Sequence, residues 1–362
     1  MNILPRRGMG KSLQVGIALL LVSSTCGQIV DPAFPLRVHV FEDFETEIEK
    51  RWWLRGTPVT NKELLPPSRS SLPNTRAMRS APSKDFDRKM GDQSKMYRAV
   101  IFNPVPGPPM AGNTRLDFRY FLTGTDTLRV QIYSLSKGYH RQTFLKDLPQ
   151  GKWQSATVDM TQLRRPDGSG GPLSKDERID DIQFYVEPDQ DVLIDDIVLY
   201  DPIKSSLLPV PKRVIFTGWF DTGKQGAGHE WPGDFDIVLH EKPKTWDAAK
   251  SVINTKTQKN WIRVLMRGMR PLAPTTRLKF LYKLPRFESY TVTLANSQTG
   301  QTWASCPITA IGEGWQEHLL DFKMGNDQHF ADEIRFEPIT ASTSLWVDDL
   351  LLYEPGDYVL GK

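Results

Sequence analysis

The sequence is short of cysteine, and this limits the kinds of protein it can encode. Its 362 residues include two cysteines, Cys26 and Cys306. If Cys26 leaves with an N-terminal targeting segment, Cys306 is the only cysteine of the mature chain, which excludes a disulfide framework. The neighbours of Cys306 alternate as in a strand, so we expect a buried and unreactive thiol.

The sequence also has little excess of charge of either sign, because its 46 basic and 43 acidic residues nearly cancel and leave a net charge of +3. No basic run carries the interleaved aromatic residues that nucleic-acid binding uses, so a nucleic-acid partner is not expected.

Long hydrophobic runs are missing as well, apart from "LQVGIALLLV" at residues 13–22. That run is too short to span a bilayer, and positive charges precede it while small residues follow it. We therefore expect residues 1–27 to be a signal peptide, with export to the periplasm, the cell surface or the medium. A buried N-terminal helix is the alternative. No transmembrane segment is expected in the mature chain, and a lipid anchor at Cys26 has weak support because Ser24 and Thr25 make a poor lipobox.

Catalytic motifs are not found either. "HEWPGD" and "HEKPK" lack the second histidine of a zinc-protease helix, and no G-x-S-x-G or phosphate-binding glycine loop occurs. Two carboxylates on distant strands could still form a glycosidase site, since sequence spacing does not reveal such a pair. An enzyme is therefore disfavoured by the sequence without being excluded.

Turn-forming residues and alternating segments are abundant. The chain has 27 prolines and 26 glycines, and "LRVQIYSL" and "YTVTLANS" alternate apolar with polar residues as half-buried strands do. Helical periodicity is absent. These features predict an all-β protein built from antiparallel sandwiches.

The chain contains one unit written twice. "NTRLDFRYF" at 113–121 matches "TTRLKFLYK" at 275–283, and Trp153 recurs as Trp315 without a gap. Each unit closes on an acidic strand, "VLIDDIVLY" at 192–200 and "LWVDDLLLY" at 345–353. We predict domains at residues 36–202 and 213–356, joined by a linker at 203–212. The first copy is longer because of "RRPDGSGGPLSKDER" at 164–178, which should form a surface loop.

These segments resemble the galactose-binding-like jelly rolls, a group that includes many carbohydrate-binding modules. The resemblance rests on the opening "EDFET", the middle "GKWQSATVDM" and the closing "VLIDDIVLY", with "WFDT", "GWQEHLLDF" and "LWVDDLLLY" in the second copy. It covers most of both units and implies two tandem jelly-roll domains. It also implies an exported protein that binds glycans or the cell surface without catalysis. A polysaccharide-active enzyme and a structural or adhesive surface protein are the alternatives.

The resemblance further implies a structural calcium ion between the opening and closing strands of each unit. The expected ligands are Glu45 with Asp195, and Asp221 with Asp348. Calcium prefers several oxygen ligands, and a carboxylate beside an apolar strand needs a partner. The alternative is that these carboxylates accept hydrogen bonds from loop amides. Asp196 and Asp349 should alternate to the opposite face.

Most aromatic residues have a structural explanation, because they recur in both copies. Trp153 and Trp315 begin equivalent strands and should pack in the cores. Three aromatic residues near turns do not recur, and they are the candidates for stacking on sugar rings: Tyr139, Trp231 and Trp246. An aromatic pair exposed on one concave face would favour glycan binding, whereas two carboxylates about 5–10 Å apart in a cleft would favour catalysis.

Overall fold

The fold is taken from a computed structural model, which describes residues 36–46, 54–85, 87, 89–202, 212–240, 246–325, 327–338, 340 and 343–356. The expected signal peptide, with Cys26, lies outside the described residues, as does nearly all of the expected linker. No helix in the described part of the chain is long and apolar enough to cross a membrane.

The first eleven strands form two antiparallel sheets. One sheet has the order β2-β3-β11-β6-β9, with β1 also paired to β11, and the other has the order β4-β5-β10-β7-β8. Short 3₁₀ turns lie at Lys62–Leu64 and Met160–Gln162. The strands are β1 (Leu36–Glu42), β2 (Thr57–Val59), β3 (Ala77–Arg79), β4 (Ala81–Ser83), β5 (Tyr97–Phe102), β6 (Arg115–Thr123), β7 (Leu128–Ser134), β8 (Tyr139–Leu145), β9 (Gln154–Asp159), β10 (Ile179–Val186) and β11 (Asp191–Pro202).

The remaining strands repeat this arrangement. Their sheets have the orders β14-β15-β24-β18-β22, with β12 on β24, and β13-β17-β23-β19-β20, with β16 on β17 and β21 on β19. A 3₁₀ turn lies at Lys224–Gly226. The strands are β12 (Arg213–Gly218), β13 (Gly233–Asp234), β14 (Asp236–His240), β15 (Trp246–Lys250), β16 (Val252–Ile253), β17 (Asn260–Leu272), β18 (Thr275–Lys283), β19 (Ser289–Ala295), β20 (Thr302–Ala304), β21 (Ile308–Thr309), β22 (Trp315–Lys323), β23 (His329–Pro338) and β24 (Trp346–Glu354).

Each pair of sheets encloses its own apolar core. Phe118 packs on Phe184 at a ring-centroid distance of 4.7 Å in the first core, and Phe280 packs on Phe336 at 5.1 Å in the second. The predicted all-β class, with two antiparallel sandwiches in tandem, is therefore confirmed. The exact domain boundaries stay a prediction.

The repeated tryptophans lie at equivalent places, because Tyr120 pairs with Gln154 and Tyr282 pairs with Gln316 in the same register. Both Trp153 and Trp315 are half-buried and lie beside the core, so they contribute less to it than the sequence predicts. Cys306 is disulfide-bonded, and its partner lies outside the described residues. The expectation of a free thiol at Cys306 is therefore wrong.

The two sandwiches pack on each other through their opening strands, β1 and β12. An apolar cluster joins them, made of Val38, Tyr200, Val214, Leu351 and Tyr353. Around it, three arginines form ion pairs across the boundary: Arg37 with Asp221 at 2.7 Å, Arg178 with Glu230 at 2.7 Å, and Arg213 with Asp43 at 2.5 Å. Together, the apolar cluster and these paired charges hold the units in contact.

Candidate functional site

The outer face of the sheet β4-β5-β10-β7-β8 carries a cleft of about 560 Å³. It forms because these strands alternate, so that Ile182 and Phe184 enter the core while their neighbours face outward. The outward residues that line the cleft are polar and aromatic. The principal lining side chains are Arg55, Tyr133, His140, Asp181, Gln183 and Tyr185.

Aromatic rings form part of the floor and wall. The rings of Tyr133 and His140 lie on neighbouring strands with centroids 4.9 Å apart, and Tyr133 is half-buried. Tyr185 is 3% exposed, and the guanidinium of Arg129 stacks on its ring at 4.3 Å. The cleft therefore offers apolar ring surface that is held in place by strand pairing and stacking.

A chain of side-chain hydrogen bonds orients the polar groups. The buried Gln183 accepts from Gln131 at 3.1 Å, and its own amide nitrogen lies 3.2 Å from both Asp181 Oδ2 and His140 Nε2. If that amide donates to both, His140 Nε2 is the acceptor and its Nδ1–H donates to Asp87, 3.2 Å away. This pattern assigns one tautomer to His140 and fixes which atoms face the cleft.

Burial changes the charge states of the two titratable groups beside Gln183. Burial, reinforced by the neighbouring carboxylate of Asp180, raises the pKa of Asp181 to about 6. Burial lowers the pKa of His140, although Asp87 acts in the opposite direction. The cleft therefore gains negative charge as pH rises through about 6.

The equivalent face of the second sandwich is filled by ion pairs. Register places Glu333 where the first unit has Asp181, and Ala295 where it has Tyr133. Glu333 is 1% exposed and forms ion pairs with Arg263 and, at 2.5 Å, with Arg335. The two copies share a fold, but this face carries ion pairs in the second unit where the first unit has Asp181 and Tyr133.

Two of the three aromatic residues singled out in the sequence have well-defined places. Tyr139 donates a hydrogen bond to the Gly170 carbonyl at 2.9 Å, and guanidinium groups of Arg141 and Arg165 lie 4.7 and 4.4 Å from its ring centroid. Trp231 is 3% exposed and packs on Trp219. The side chain of Trp246, at the start of β15, lies outside the described part of the chain. Ligand binding by these three residues stays a prediction.

The acidic pair on each closing strand forms a β-bulge. In β11 the register shifts between Asp195 and Val198, and Asp196 has φ +47°. Aspartate tolerates this left-handed conformation because its short side chain bonds locally. Asp195 Oδ1 accepts a hydrogen bond from the Asp196 amide at 2.8 Å. Asp349 has φ +47° as well, and its amide donates to Asp348 Oδ1 at 2.7 Å.

The bulge changes which positions of the strand face the core. Val192 and Ile194 face inward before it, and Ile197 and Leu199 face inward after it. Without the extra residue, one end of this long strand would turn its apolar side chains away from the core. The strict alternation expected through the Asp-Asp pair therefore does not occur.

The opening-strand carboxylates accept hydrogen bonds from equivalent amides. Glu45 Oε1 accepts from the amides of Thr75, at 2.6 Å, and Arg76, at 2.9 Å. Asp221 Oδ1 accepts from the amide of Asp247, at 3.1 Å, which occupies the place of Arg76 in the second copy. These contacts match the hydrogen-bonding alternative to calcium.

Calcium at Glu45 with Asp195, and at Asp221 with Asp348, stays a prediction. The described residues contain no group of three or more histidine, cysteine or acidic side chains arranged to hold a metal, and Asn74 donates to Asp195 Oδ2 at 2.8 Å. An ion that binds only the folded state raises stability by about 2.7 kcal/mol at a hundredfold excess over its dissociation constant. Thermal melting with calcium and with a chelator measures this, and Asp195→Ala should remove the gain. Equal melting temperatures for the wild type would leave hydrogen bonding as the role of both carboxylates.

Comparison with known proteins gives structural similarity alone. No protein-family model matches the chain, and no curated protein matches it. The tandem CBM22-1–CBM22-2 domain of Paenibacillus barcinonensis Xyn10C is 9% identical, with 89% of this chain and 99% of that chain covered and a TM-score of 0.29. A family 11 carbohydrate-binding module from Clostridium thermocellum is 18% identical, with 48% and 100% covered and a TM-score of 0.32. Both are named as carbohydrate-binding modules.

Proposed function

We propose that this protein binds glycans without catalysis, in the cleft on the outer face of the first sandwich. The observation that supports this most directly is the combination of aromatic rings with oriented polar groups on one sheet face. Sugar rings present apolar faces that pack on aromatic side chains, while their hydroxyls need donors and acceptors at fixed positions.

Each lining group has a distinct part in such a site. Tyr133 offers ring surface, and the carboxylate of Asp181 accepts hydrogen bonds from sugar hydroxyls. Arg55 is exposed, but its main chain is held by paired hydrogen bonds to Ile101 at 2.8 and 2.9 Å, so its side chain can reach over the cleft from a fixed point. Because strands carry most of these groups, little ordering is needed on binding.

A polysaccharide-active enzyme is the second candidate, because Asp180 and Asp181 both line the cleft. Glycoside hydrolysis needs one carboxyl group on each side of the scissile bond, about 5–10 Å apart. Asp180 and Asp181 are consecutive residues of one strand, which is a poor starting point for flanking a bond from two sides. Release of reducing ends from the bound polysaccharide would show catalysis and reject the non-catalytic part of the proposal.

Changing the cleft should abolish most glycan binding. The glycan is first chosen by screening the protein on a glycan array, and its affinity is then measured by calorimetry. Tyr133→Ala should weaken binding by about ten- to hundredfold, through lost ring contact. Phe144→Ala is the matched control, because Phe144 is 49% exposed on the same sheet and does not line the cleft.

The pH dependence of binding provides a separate readout. An ionised carboxylate is the stronger acceptor, so wild-type affinity should rise as pH increases through about 6, and Asp181→Asn should flatten this profile. The same raised pKa affects stability with the opposite sign. The stability that the protonated Asp181 contributes is complete below pH 3.8 and is lost as pH rises through about 6.

Equal affinities for Tyr133→Ala and the wild type would show that the glycan binds elsewhere.

Export to the cell surface or the surrounding medium is part of the same proposal. It rests on residues 1–27, which lie outside the described part of the chain, and on the expectation that glycan-binding proteins meet polysaccharides outside the cell. N-terminal sequencing of protein from its native host tests the processing site expected near residue 27 or 28. Processing there would remove Cys26, the one other cysteine of the sequence, so a mature protein that keeps the disulfide of Cys306 within the chain would contradict this site.

A further inference from the structure

A second cavity, of about 400 Å³, lies between the two sandwiches. One wall comes from β1 and from the loop that follows β5, and the other comes from β12 and β17. Asn103 lines both this cavity and the cleft of the first sandwich. The two spaces therefore share Asn103 as a wall residue.

Asn103 is suited to a contact with a ligand at this junction. Its side chain hydrogen-bonds to Asp180, on the cleft side. Its Oδ1 atom is buried and has no hydrogen-bond partner within the described part of the chain. A buried amide oxygen without a donor is costly, and a sugar hydroxyl could supply that donor.

Two arginines line the cavity from the second sandwich. They lie on a bulge of β17, where the register shifts between Leu265 and Arg270, and Arg267 has φ +52°. Arg267 donates to the carbonyls of His229 and Glu230 at 2.9 and 2.7 Å. Arg270 donates to the Met266 carbonyl at 3.2 Å and the Thr46 hydroxyl at 3.3 Å.

The partners of these two arginines differ from those of the other arginines between the units. Arg37, Arg178 and Arg213 each form an ion pair with a carboxylate across the boundary at 2.7 Å or less. Arg267 and Arg270 contact neutral oxygens, and neither forms an ion pair with a carboxylate among the described residues. Burial lowers the pKa of Arg270 to about 10, although the nearby Asp43 acts in the opposite direction.

We propose that the cleft and the inter-unit cavity form one extended site for an acidic polysaccharide, whose sugar-borne carboxylate or sulfate contacts Arg267 and Arg270. This inference rests on the proposed glycan binding and names the class of glycan. Guanidinium groups match the geometry of such oxyanions. Glu42 lines the cavity together with Arg267 and Arg270, so the two arginines leave an excess of positive charge that an oxyanion would balance. Trp219 and Trp231 also line the cavity, but they are 1% and 3% exposed and form part of its packed wall.

The test uses matched pairs of acidic and neutral polymers with the full mature protein. Suitable pairs are polygalacturonate with its carboxyl-reduced form, and dextran sulfate with dextran. Affinity electrophoresis measures how strongly each polymer retards the protein in the gel, and tryptophan fluorescence reports on occupation of the cavity. In at least one pair the acidic member should bind about tenfold more tightly than its neutral counterpart, and added salt should reduce that preference. The carboxylate and sulfate pairs distinguish the two kinds of oxyanion.

Variants test whether the preference for the acidic polymer arises from the cavity. Arg267→Gln should remove most of it and leave binding of the neutral polymer unchanged; Arg267 is exposed, so its loss should not impair folding. Arg270→Lys should retain part of it, because the charge remains. Arg286→Gln, a substitution at the loop that carries the exposed Phe287, is the control for general charge loss.

The outcomes separate this inference from the proposed function. Binding of neutral polymers that depends on Tyr133, with no acidic preference in any pair, would overturn the inference and leave glycan binding in place. An acidic preference that Arg286→Gln reduces as much as Arg267→Gln would also overturn it, because the attraction would then be unspecific. Failure of every polymer to bind would reject both.

Discussion

Arg141→Ala should lower the stability of the first sandwich by about 3–5 kcal/mol, because it leaves a buried carboxylate without its charge partner. Arg141 is 1% exposed and contacts Glu177 Oε1 through Nη1 at 2.6 Å. Burial acts to raise the pKa of Glu177, but hydrogen bonds from Ser134 and Ser174 and the charge of Arg141 outweigh it and hold that pKa below its ordinary value.

Arg141→Ala should also destabilise the loop at residues 164–178, which makes the first copy longer than the second. Arg141 also donates to the carbonyls of Gly171 at 3.0 Å and Gly170 at 3.3 Å, so one guanidinium links that loop to β8. Few apolar side chains of the loop are buried, and these polar contacts therefore carry much of its ordering. Removing them should make the loop more sensitive to protease.

Urea denaturation of Arg141→Ala and of Arg141→Met/Glu177→Leu measures this effect. The double variant should recover much of the loss, because neither buried charge remains without a partner. Arg164→Ala is the control, since Arg164 is exposed on the same loop, donates to the Thr161 and Leu163 carbonyls and forms no ion pair among the described residues. A loss below about 1 kcal/mol for Arg141→Ala would contradict the structural role given to this pair.

Asp195→Ala should destabilise the first sandwich by about 2–4 kcal/mol, whereas Asp195→Asn should change stability little. The alanine variant leaves the Asp196 amide and the Asn74 side chain without their acceptor at 2.8 Å. It also leaves Asp196 in its left-handed conformation without the local bond that supports it. An asparagine keeps an acceptor oxygen for the Asp196 amide and removes the cost of a buried charge. Its amide nitrogen would face Asn74, whose own Oδ1 is buried without a partner among the described residues and can accept from it once the Asn74 amide turns over.

The pH dependence of stability should separate the two variants. Burial and the neighbouring Asp196 raise the pKa of Asp195 well above 3.8. A carboxyl group whose pKa is raised on folding stabilises the protein fully below its unfolded pKa, and this contribution is lost as pH rises through the folded pKa. Wild-type stability should therefore fall over that range, and Asp195→Asn should flatten the fall. A wild type whose stability rises with pH there, with the same profile in the asparagine variant, would contradict the assigned shift.

The two units illustrate how one fold acquires different surfaces. Both use a β-bulge at an Asp-Asp pair to keep a long strand aligned with its core, and both hold an opening-strand carboxylate on an equivalent amide. They differ on the outer face, where Asp181 and Tyr133 line a cleft in the first unit while Glu333 is paired with arginines in the second. Glycan binding is accordingly proposed for the first sandwich, with the second contributing Arg267 and Arg270 from across the boundary.

The sequence alone determined the architecture of the protein. Alternating segments such as "LRVQIYSL" predict strands because a half-buried strand needs an apolar residue at every second position. The repeated Thr-Arg-Leu-x-Phe-x-Tyr segment predicts two units of one topology, since equivalent core residues impose equivalent packing. The surface loop between Trp153 and the closing strand was also predictable, because glycine and proline at that density do not continue a sheet.

Only the tertiary structure decided the cleft, the cavity and the conformation of the acidic pairs. Tyr133, Asp181 and Arg55 are far apart in sequence, and no spacing rule indicates that three separate segments bring them to one face. Trp231 and Tyr139 stood out in the sequence because they do not recur, but that criterion does not show what covers a ring. The Asp-Asp bulge breaks the period of two, so a rule based on alternation assigns Asp196 to a face that the backbone does not give it. The sequence shows the chemistry of each side chain. A binding site depends in addition on which strands become neighbours, and the packing of the strands decides which they are.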